Sequence, residues 1–322
     1  MSRSAPTCSA CGFPRPPSPS RSMSCVMRVR AFAKINLSLR VLGLRADGYH
    51  ELQNVFQSIA LHDTLTIRAA RGPFRLTCDD PDCPSDDTNL IWRAAERLWA
   101  VSGRRGSVRD ISVDLVKRIP RQAGLGGGSS DAAAALRALG RLWHVDEARL
   151  RATAAEVGAD VPFFLEGGTA LGLERGDRLF PLIDYPAAWV VLVLPSFGVS
   201  TKEAFGWFDQ MAGGRAFQAS RRRSAERLAL RSGESLALPD LQNDLEAPVA
   251  AHHPQIVRLV RALRKAGASH AAMTGSGSAV FGLFSSRVAA AGAAGALCRP
   301  ASPRPLVTRT INRKRYRALA RM

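Results

Sequence analysis

The sequence feature that most limits the fold is a glycine-rich run between a β-branched segment and a helix-forming segment. Residues 124–131 (GLGGGSSD) follow the strand pattern of residues 108–119, and DAAAALRALGRL continues the run with helix formers. Glycines permit positive φ angles and let backbone N–H groups converge on an anion. The run therefore predicts a phosphate-binding loop at a helix N-terminus, where the helix dipole also favours an anion. The alternative is a plain turn with a Ser or Asp cap.

Two familiar phosphate-binding patterns do not fit this run. No Lys-Ser or Lys-Thr pair follows the last glycine, as a P-loop requires. The run also lacks the GxGxxG pattern with a following acidic residue that marks dinucleotide-binding folds. The surrounding strand and helix patterns are mixed over about 290 residues, which predicts an α+β protein with two lobes.

The chain divides by composition. Residues 1–26 are rich in Ser, Pro, Cys and Arg without any hydrophobic period, and we expect a disordered or non-native extension there. This composition overlaps with that of organelle transit peptides, and a true start at Met23 or Met27 explains it equally well. We predict an N-terminal lobe over residues 27–184, a C-terminal lobe over residues 185–312 and a basic tail over residues 313–322.

The charge of the chain is concentrated at its ends. Residues 1–30 hold five arginines and residues 299–322 hold seven arginines and one lysine, with no acidic residue in either range. They supply most of the net charge of +18, so the rest of the chain is only mildly basic, which suits an enzyme that handles anionic ligands. Solvated basic ends are the simpler interpretation, and RNA binding is the alternative.

Composition also bears on the compartment. No apolar run approaches the 20 or so residues of a membrane-spanning helix, so no membrane partner is expected. The six cysteines are too sparse for a disulfide framework, which favours a cytoplasmic protein, or a plastid one if the source is a plant or alga. The Cys8–Cys11 pair lacks a second pair at zinc-site spacing, so we expect no metal site there.

Three segments together resemble the GHMP kinase superfamily, which includes galactokinase, homoserine kinase and mevalonate kinase. PRQAGLGGGSSDAA resembles its central phosphate-binding motif, AKINLSLRVLGLRADGYHEL its N-terminal motif, and AAMTGSGSAVFGLF its C-terminal glycine motif. Within the superfamily, AKINL, RADGYHEL and GADVPFF resemble the kinases that act on 4-diphosphocytidyl-2-C-methyl-D-erythritol. The resemblance extends over roughly residues 28–312.

The resemblance implies a fold and an activity. The fold is an N-terminal lobe with a left-handed βαβ crossover, a ferredoxin-like C-terminal lobe and an active site between them. The activity is ATP-dependent phosphorylation of the 2-hydroxyl of that substrate, in the non-mevalonate route to isoprenoid precursors. Mg²⁺ would be held mainly by the nucleotide phosphates, with help from the Ser130 hydroxyl, and no dedicated metal site is expected. The oligomeric state stays open.

The resemblance also implies catalytic residues. Asp160 would accept the proton of the substrate hydroxyl, and Lys34 would orient that carboxylate and add positive charge. Taken alone, Asp160 fits a helix-terminal carboxylate and Lys34 an exposed strand lysine. Gly275 and Gly277 would form a wall near the phosphates, although a β-bulge or hairpin explains them equally well.

Binding residues follow from the same motifs. The side chains expected to contact the substrate, with an aromatic clamp and a hydrogen-bonding His for cytosine, are Asn36, Tyr49, His50, Thr201 and Phe205. The residues expected to bind ATP are Pro120, Arg121, Gln122, Ala123, Gly124, Leu125, Gly126, Gly127, Gly128, Ser129 and Ser130. Family members often have small residues where Arg121–Ala123 stand, so access to the loop can differ here.

Two other functions remain open at this stage. A GHMP kinase for a small alcohol such as homoserine or mevalonate would keep the glycine loop but need no cytosine clamp. A non-catalytic relative that binds RNA through the basic ends would need neither Lys34 nor Asp160.

Overall fold

A computed structural model of the protein describes residues 26–212, 241–298 and 304–320. The predictions for residues 1–25, including the Cys8–Cys11 pair, and for the basic stretch at residues 221–231 lie outside these ranges. Within them, none of the helices is long and apolar enough to cross a lipid bilayer.

The N-terminal lobe is built on two long antiparallel strands, β1 (Val26–Leu44) and β2 (His50–Pro73). A turn containing Gly48, at a φ of 80°, connects them as the Asp-Gly pair predicts. The sheet continues from β2 in the order β3-β4-β2-β5-β6, with β1 paired to β2. The remaining strands are β3 (Arg75–Cys78), β4 (Arg109–Val116), β5 (Thr169–Glu174) and β6 (Arg178–Pro181).

Four helices bury apolar faces against this sheet and against one another. They are α1 (Leu90–Val101), α2 (Gly127–Trp143), α3 (Glu147–Val157) and α4 (Val161–Glu166). Ala-rich α2 is buried along most of its length, because small side chains let it lie close to its neighbours. Strands β3 and β4 are parallel neighbours in the sheet, and α1 lies between them in the sequence, which gives the expected βαβ unit. The left-handedness of this unit stays a prediction.

The C-terminal lobe has the strand order expected of a ferredoxin-like fold. Its antiparallel sheet runs β10-β7-β9-β8, with helices between β7 and β8 and between β9 and β10. The strands are β7 (Trp189–Val193), β8 (His270–Met273), β9 (Val280–Phe284) and β10 (Leu306–Arg309). The helices described in this lobe are α5 (Thr201–Ala212), α6 (Glu246–His252), α7 (Gln255–Lys265) and α8 (Arg287–Leu297).

The two lobes share a hydrophobic core. One buried cluster joins Ile35 and Leu37 of β1 and Val55 of β2 to Val190 of β7 and Phe281 of β9. The second half of β1 also packs into the core of the C-terminal lobe through Leu39 and Val41. The long first hairpin therefore belongs to both lobes and forms the floor of the cleft between them.

The predicted basic tail is a helix, α9 (Arg313–Ala320), for which the expectation of a solvated ending is wrong. Its Tyr316 is 1% exposed and packs against Phe32 of β1, with ring centroids 5.4 Å apart. Lys314, Arg315 and Arg317 are exposed, whereas Tyr316 and Ala320 are buried and the half-buried Arg313 donates to the Leu182 carbonyl oxygen. A single aromatic residue among four cationic residues anchors this helix in the core.

Candidate active site

The pair Lys34 and Asp160 lies at the bottom of the cleft. The Lys34 Nζ is 3.7 Å from the Asp160 Oδ2, and Lys34 is 4% exposed, which excludes a surface lysine of β1. Burial lowers the pKa of Lys34, and the nearby Asp160 carboxylate opposes that shift. Asp160 occupies the N-cap position of α4, but its side chain makes no capping bond. Its carboxylate, about one-third exposed, is available to a ligand.

Polar side chains from both lobes hold this lysine in place. Lys34 Nζ donates a hydrogen bond of 2.6 Å to the Asn36 Oδ1. The Asn36 amide group donates to the Asn54 Oδ1 at 2.7 Å, and its oxygen accepts from the Thr274 hydroxyl at 3.1 Å. Asn36 and Asn54 lie on the paired strands β1 and β2, whereas Thr274 follows β8. Asn36 is therefore a nearly buried residue of the cleft floor, where it orients Lys34.

The glycine loop forms one wall of the cleft. Gly124 and Gly126 have φ angles of 72° and 70°, and α2 begins at Gly127 without a side-chain cap. A Cβ on Gly124 would lie 2.0 Å from the Thr274 carbonyl oxygen, so the loop needs glycine to reach the C-terminal lobe. The first amides of α2 have no partner within the helix and face the cleft, as an anion site requires.

Lys117 lies beside the first turn of α2 and was not predicted. Its Nζ donates to the Asp131 Oδ2 at 2.8 Å and also contacts the Asp63 carboxylate. Although burial opposes the shift, these two carboxylates raise the pKa of Lys117 and keep it charged. Asp63 also accepts the backbone N–H of Ile119, which fixes the chain entering the glycine loop. The sequence signal was a lysine three residues before Pro120.

Ser130 is placed differently from its predicted role. Its hydroxyl donates to the Phe32 carbonyl oxygen at 2.7 Å, and the residue is 1% exposed. It therefore braces α2 against β1 and does not line the cleft, so neither ATP contact nor help with Mg²⁺ fits its position here. The cause is helical geometry, because residue 130 lies on the inner face of α2 while residue 129 faces outwards.

The far end of the cleft is aromatic. The His50 and Phe205 rings stack with centroids 4.7 Å apart, and the His50 Nε2 is 2.8 Å from the Asp209 Oδ1. Tyr49 is 58% exposed, and the Arg175 guanidinium lies 5.4 Å from the centre of its ring. Asp209 and Arg175 were not predicted, because neither belongs to a recognised motif.

The cleft brings most of the predicted residues together. Its volume is about 1330 Å³, and it is lined by Lys34, Asn36, Asp160, the glycine loop and the aromatic end. Thr201 lines it too, with its hydroxyl 3.3 Å from that of Ser276 in the Gly275–Gly277 turn. That turn lies next to Gly124, so the two glycine segments are adjacent parts of the same cleft wall. Ser130 is the exception among the predicted residues.

Comparisons with known proteins agree with this architecture. The family model "GHMP kinases N terminal domain" matches residues 89–168, and "GHMP kinases C terminal" matches residues 215–302. The 4-diphosphocytidyl-2-C-methyl-D-erythritol kinase of Moorella thermoacetica is 40% identical over 288 residues, which is 89% of this chain and 99% of the relative. The kinase of that name from Anaeromyxobacter dehalogenans is 45% identical over 268 residues, covering 81% and 82%.

Solved structures give the same result. A crystal structure of 4-(cytidine 5'-diphospho)-2C-methyl-D-erythritol kinase matches with a TM-score of 0.69 at 36% identity, covering 88% of this chain and 99% of the other. A homoserine kinase from Cytophaga hutchinsonii matches with a TM-score of 0.67 at 20% identity and shares the fold. The two lobes, with a glycine loop and a Lys–Asp pair between them, make this chain a member of the GHMP kinases. Within them it belongs to the 4-diphosphocytidyl-2-C-methyl-D-erythritol kinase family.

Proposed function

We propose that this cleft transfers the γ-phosphoryl group of ATP to the 2-hydroxyl of 4-diphosphocytidyl-2-C-methyl-D-erythritol. The observation that carries the proposal is the position of the Lys34–Asp160 pair between a glycine loop and an aromatic recess. The loop offers amides to a phosphoryl donor, the recess offers aromatic rings to a base, and the pair lies between them, where the acceptor hydroxyl would meet the phosphate.

Asp160 and Lys34 divide the work at the reacting atoms. The Asp160 carboxylate accepts the proton of the acceptor hydroxyl, whose oxygen then forms the bond to the γ-phosphorus as the bond to ADP breaks. The buried Lys34 Nζ lies 3.7 Å from the Asp160 carboxylate, where its charge offsets negative charge that develops on the transferred group. Asn36 holds the lysine at 2.6 Å, so little reorganisation is needed during transfer.

The glycine loop and Lys117 serve the nucleotide. The exposed amides at the start of α2 bind phosphate oxygens, and Lys117 holds the start of that helix in place by joining Asp131 to Asp63. Pro120–Ser129 form the rest of this wall. Ser130 supports the loop from below through its bond to Phe32.

Mg²⁺ fits this site as a companion of the nucleotide. In the described part of the chain no three His, Cys, Asp or Glu side chains converge into a metal cage. Asp131 nevertheless lines the cleft beside α2 with its Oδ1 buried and unpartnered, an oxygen of the type that Mg²⁺ binds directly or through water. Bound with ATP, the ion would neutralise charge on the phosphate oxygens.

The aromatic recess selects the cytidyl group. Tyr49 and Phe205 offer ring faces for a base, and His50 offers a hydrogen-bonding ring nitrogen. His50 and Phe205 are in direct contact at 4.7 Å, so a base between Tyr49 and Phe205 requires these side chains to rearrange. Asn36 and Thr201 bound the space between the recess and the reacting groups.

The test is ADP release with Mg·ATP and a panel of acceptors: the diphosphocytidyl methylerythritol, homoserine, mevalonate, and none. We expect turnover with the cytidyl acceptor alone, and competitive inhibition by cytidine monophosphate. His50→Ala should raise the KM for that acceptor and weaken this inhibition, since the base loses its hydrogen bond. His144→Asn is the matched control, because residue 144 lies at the other end of α2 and Asn tolerates its φ of 56°.

Other outcomes contradict the proposal in different ways. Turnover with homoserine or mevalonate would keep the GHMP kinase reaction and refute the cytidyl acceptor. No turnover from folded protein that binds ATP would favour the RNA-binding relative, for which loss of residues 1–25 together with Lys314→Ala and Arg315→Ala, both exposed on α9, should weaken RNA affinity.

A further inference from the structure

The C-terminal helix α9 lies outside both matched family domains, yet it reaches the elements that carry the active site. Its Tyr316 is fully buried and contacts three of them at once. The Tyr316 hydroxyl donates to the Phe164 carbonyl oxygen at 2.7 Å, its ring lies 5.4 Å from the Phe32 ring, and the Arg137 guanidinium lies 5.8 Å from its centre. A Cβ on Gly167 would lie 2.2 Å from the same ring.

Two of these neighbours, Phe32 and Phe164, are close in sequence to a reacting group. Phe32 precedes Lys34 by two residues on β1, and its carbonyl oxygen binds the Ser130 hydroxyl of α2. Phe164 is in α4, the helix that begins next to Asp160. Its ring also presses on the glycine loop, where a Cβ on Gly126 would lie 2.7 Å from the Phe164 Cζ. Tyr316 is thus the point where β1, α2 and α4 meet.

Helix α4 depends on these external bonds for its position. It has only six residues and no side-chain N-cap, so its own hydrogen bonds hold it weakly. The Arg137 Nη2 donates to the carbonyl oxygens of Phe164 and Leu165 at 2.9 and 2.8 Å, and Tyr316 supplies another donor to Phe164. Two side chains therefore satisfy the C-terminal carbonyls that a helix leaves free.

An ion pair closes the outer side of this contact. The Glu166 carboxylate at the end of α4 accepts a hydrogen bond of 2.6 Å from Arg317 of α9 and also contacts Arg151 of α3. Although burial opposes the shift, these two arginines lower the pKa of Glu166 and keep it ionised. Helix α9 is consequently bound to α4 through the buried Tyr316 and through the partly exposed Arg317.

We propose that Tyr316 and Arg137 are positioning residues that fix α4, and with it Asp160, against Lys34 and the glycine loop. This inference rests on the proposed function for the role of Asp160. Neither side chain lines the cleft, so they act through the Phe164 carbonyl and not on substrate. A small displacement of Asp160 slows transfer strongly, because proton acceptance depends on alignment.

The test is Tyr316→Phe, which keeps the ring against Gly167 and removes only the hydroxyl. We expect kcat per folded enzyme to fall about 10-fold while the KM values for ATP and acceptor stay nearly constant. Arg315→Ala is the matched control, because residue 315 is exposed on the same helix and should leave kcat unchanged. A Tyr316→Phe variant with a lower Tm and an unchanged kcat would overturn the proposal.

Two further measurements separate positioning from general stability. Arg137→Met should lower kcat in the same manner, Arg137→Lys should restore part of it, and Tyr316→Phe combined with Arg137→Met should lose less than the product of the single losses. Multiplicative losses would mean that the two residues do not act through the shared carbonyl.

Hydrogen exchange gives a readout that needs no turnover. Amides of residues 158–168 should exchange faster in Tyr316→Phe than in the wild type, whereas those of β7 and β9 should not change. If the wild-type enzyme phosphorylates a different acceptor, the kinetic test is carried out with that acceptor. If it phosphorylates none, the proposed function is refuted but the positioning role is not. Hydrogen exchange then decides the positioning role, which unchanged exchange over residues 158–168 would overturn.

Discussion

At the residue scale, the carboxylate of Asp160 is the group whose loss should cost the most activity. Asp160→Asn keeps the size of the side chain but cannot accept a proton, so kcat should fall by about 10²- to 10⁴-fold with little change in KM for ATP. The fold should remain intact, because Lys34 keeps its hydrogen bond to Asn36 and the amide of Asn occupies the same partly exposed position. Steady-state ADP release with the cytidyl acceptor measures the effect.

The matched control for that variant is Glu147→Gln in α3, whose carboxylate is 67% exposed and away from the cleft. It makes the same chemical change and should leave kcat as it is. Wild-type turnover in Asp160→Asn would show that another group accepts the proton.

The site residues that could be predicted from the sequence are those that contact another site residue close to them in the chain. Lys34 and Asn36 lie two residues apart on one strand, so the AKIN motif contains both and their hydrogen bond is local. Thr274 is 238 residues away from Asn36, and only tertiary folding brings them together. Lys117, Asp209 and Arg175 were missed for the same physical reason.

At the element scale, the glycine loop should tolerate a side chain at one glycine and not at another. Gly124→Ala places a Cβ against the Thr274 carbonyl at a positive φ, and we expect a loss of about 2–4 kcal/mol in the free energy of unfolding. Gly128→Ala lies inside α2 with its nearest contact 3.7 Å away, so stability should stay or rise by up to about 1 kcal/mol. Urea unfolding of both variants measures the difference.

Equal stabilities of these two variants would contradict the contact between the loop and the C-terminal lobe. The comparison is internal, because both changes add one methyl group to the same loop. Only the direction of the Cβ and the backbone conformation differ.

Element boundaries follow the sequence where local signals decide them. The expected helix near residues 147–157 is α3, for which Asp146 provides the cap by accepting from the Arg149 N–H. The strand expected over residues 108–119 ends earlier, at Val116, because Asp63 binds the backbone N–H groups of Arg118 and Ile119. The sequence of α9 resembles a solvated basic tail, because its one buried aromatic residue stands among cationic residues.

At the scale of the whole molecule, the shared core makes the two lobes one structural unit. The first hairpin contributes Ile35 and Leu37 to a cluster with Val190 and Phe281, and Leu39 to the core of the other lobe. The sequence predicted two lobes divided after residue 184, and the structure has one sheet before that point and a second after it. The sequence did not show that β1 and β2 contribute to both cores. The pattern of apolar residues marks them as buried but does not indicate which lobe each residue packs against.

Because the core is shared, damage to one lobe should destabilise the other. Phe281→Ala removes a fully buried ring from β9 and should cost about 3–5 kcal/mol. With Trp189→Phe and Trp207→Phe as background, the remaining tryptophans, Trp92, Trp99 and Trp143, report on the N-terminal lobe alone. Their fluorescence transition in denaturant should shift with Phe281→Ala as far as the overall circular dichroism does, as a cooperative unit requires. An N-terminal transition that stayed in place would mean that the lobes unfold separately, and that the cleft floor formed by β1 and β2 does not join them.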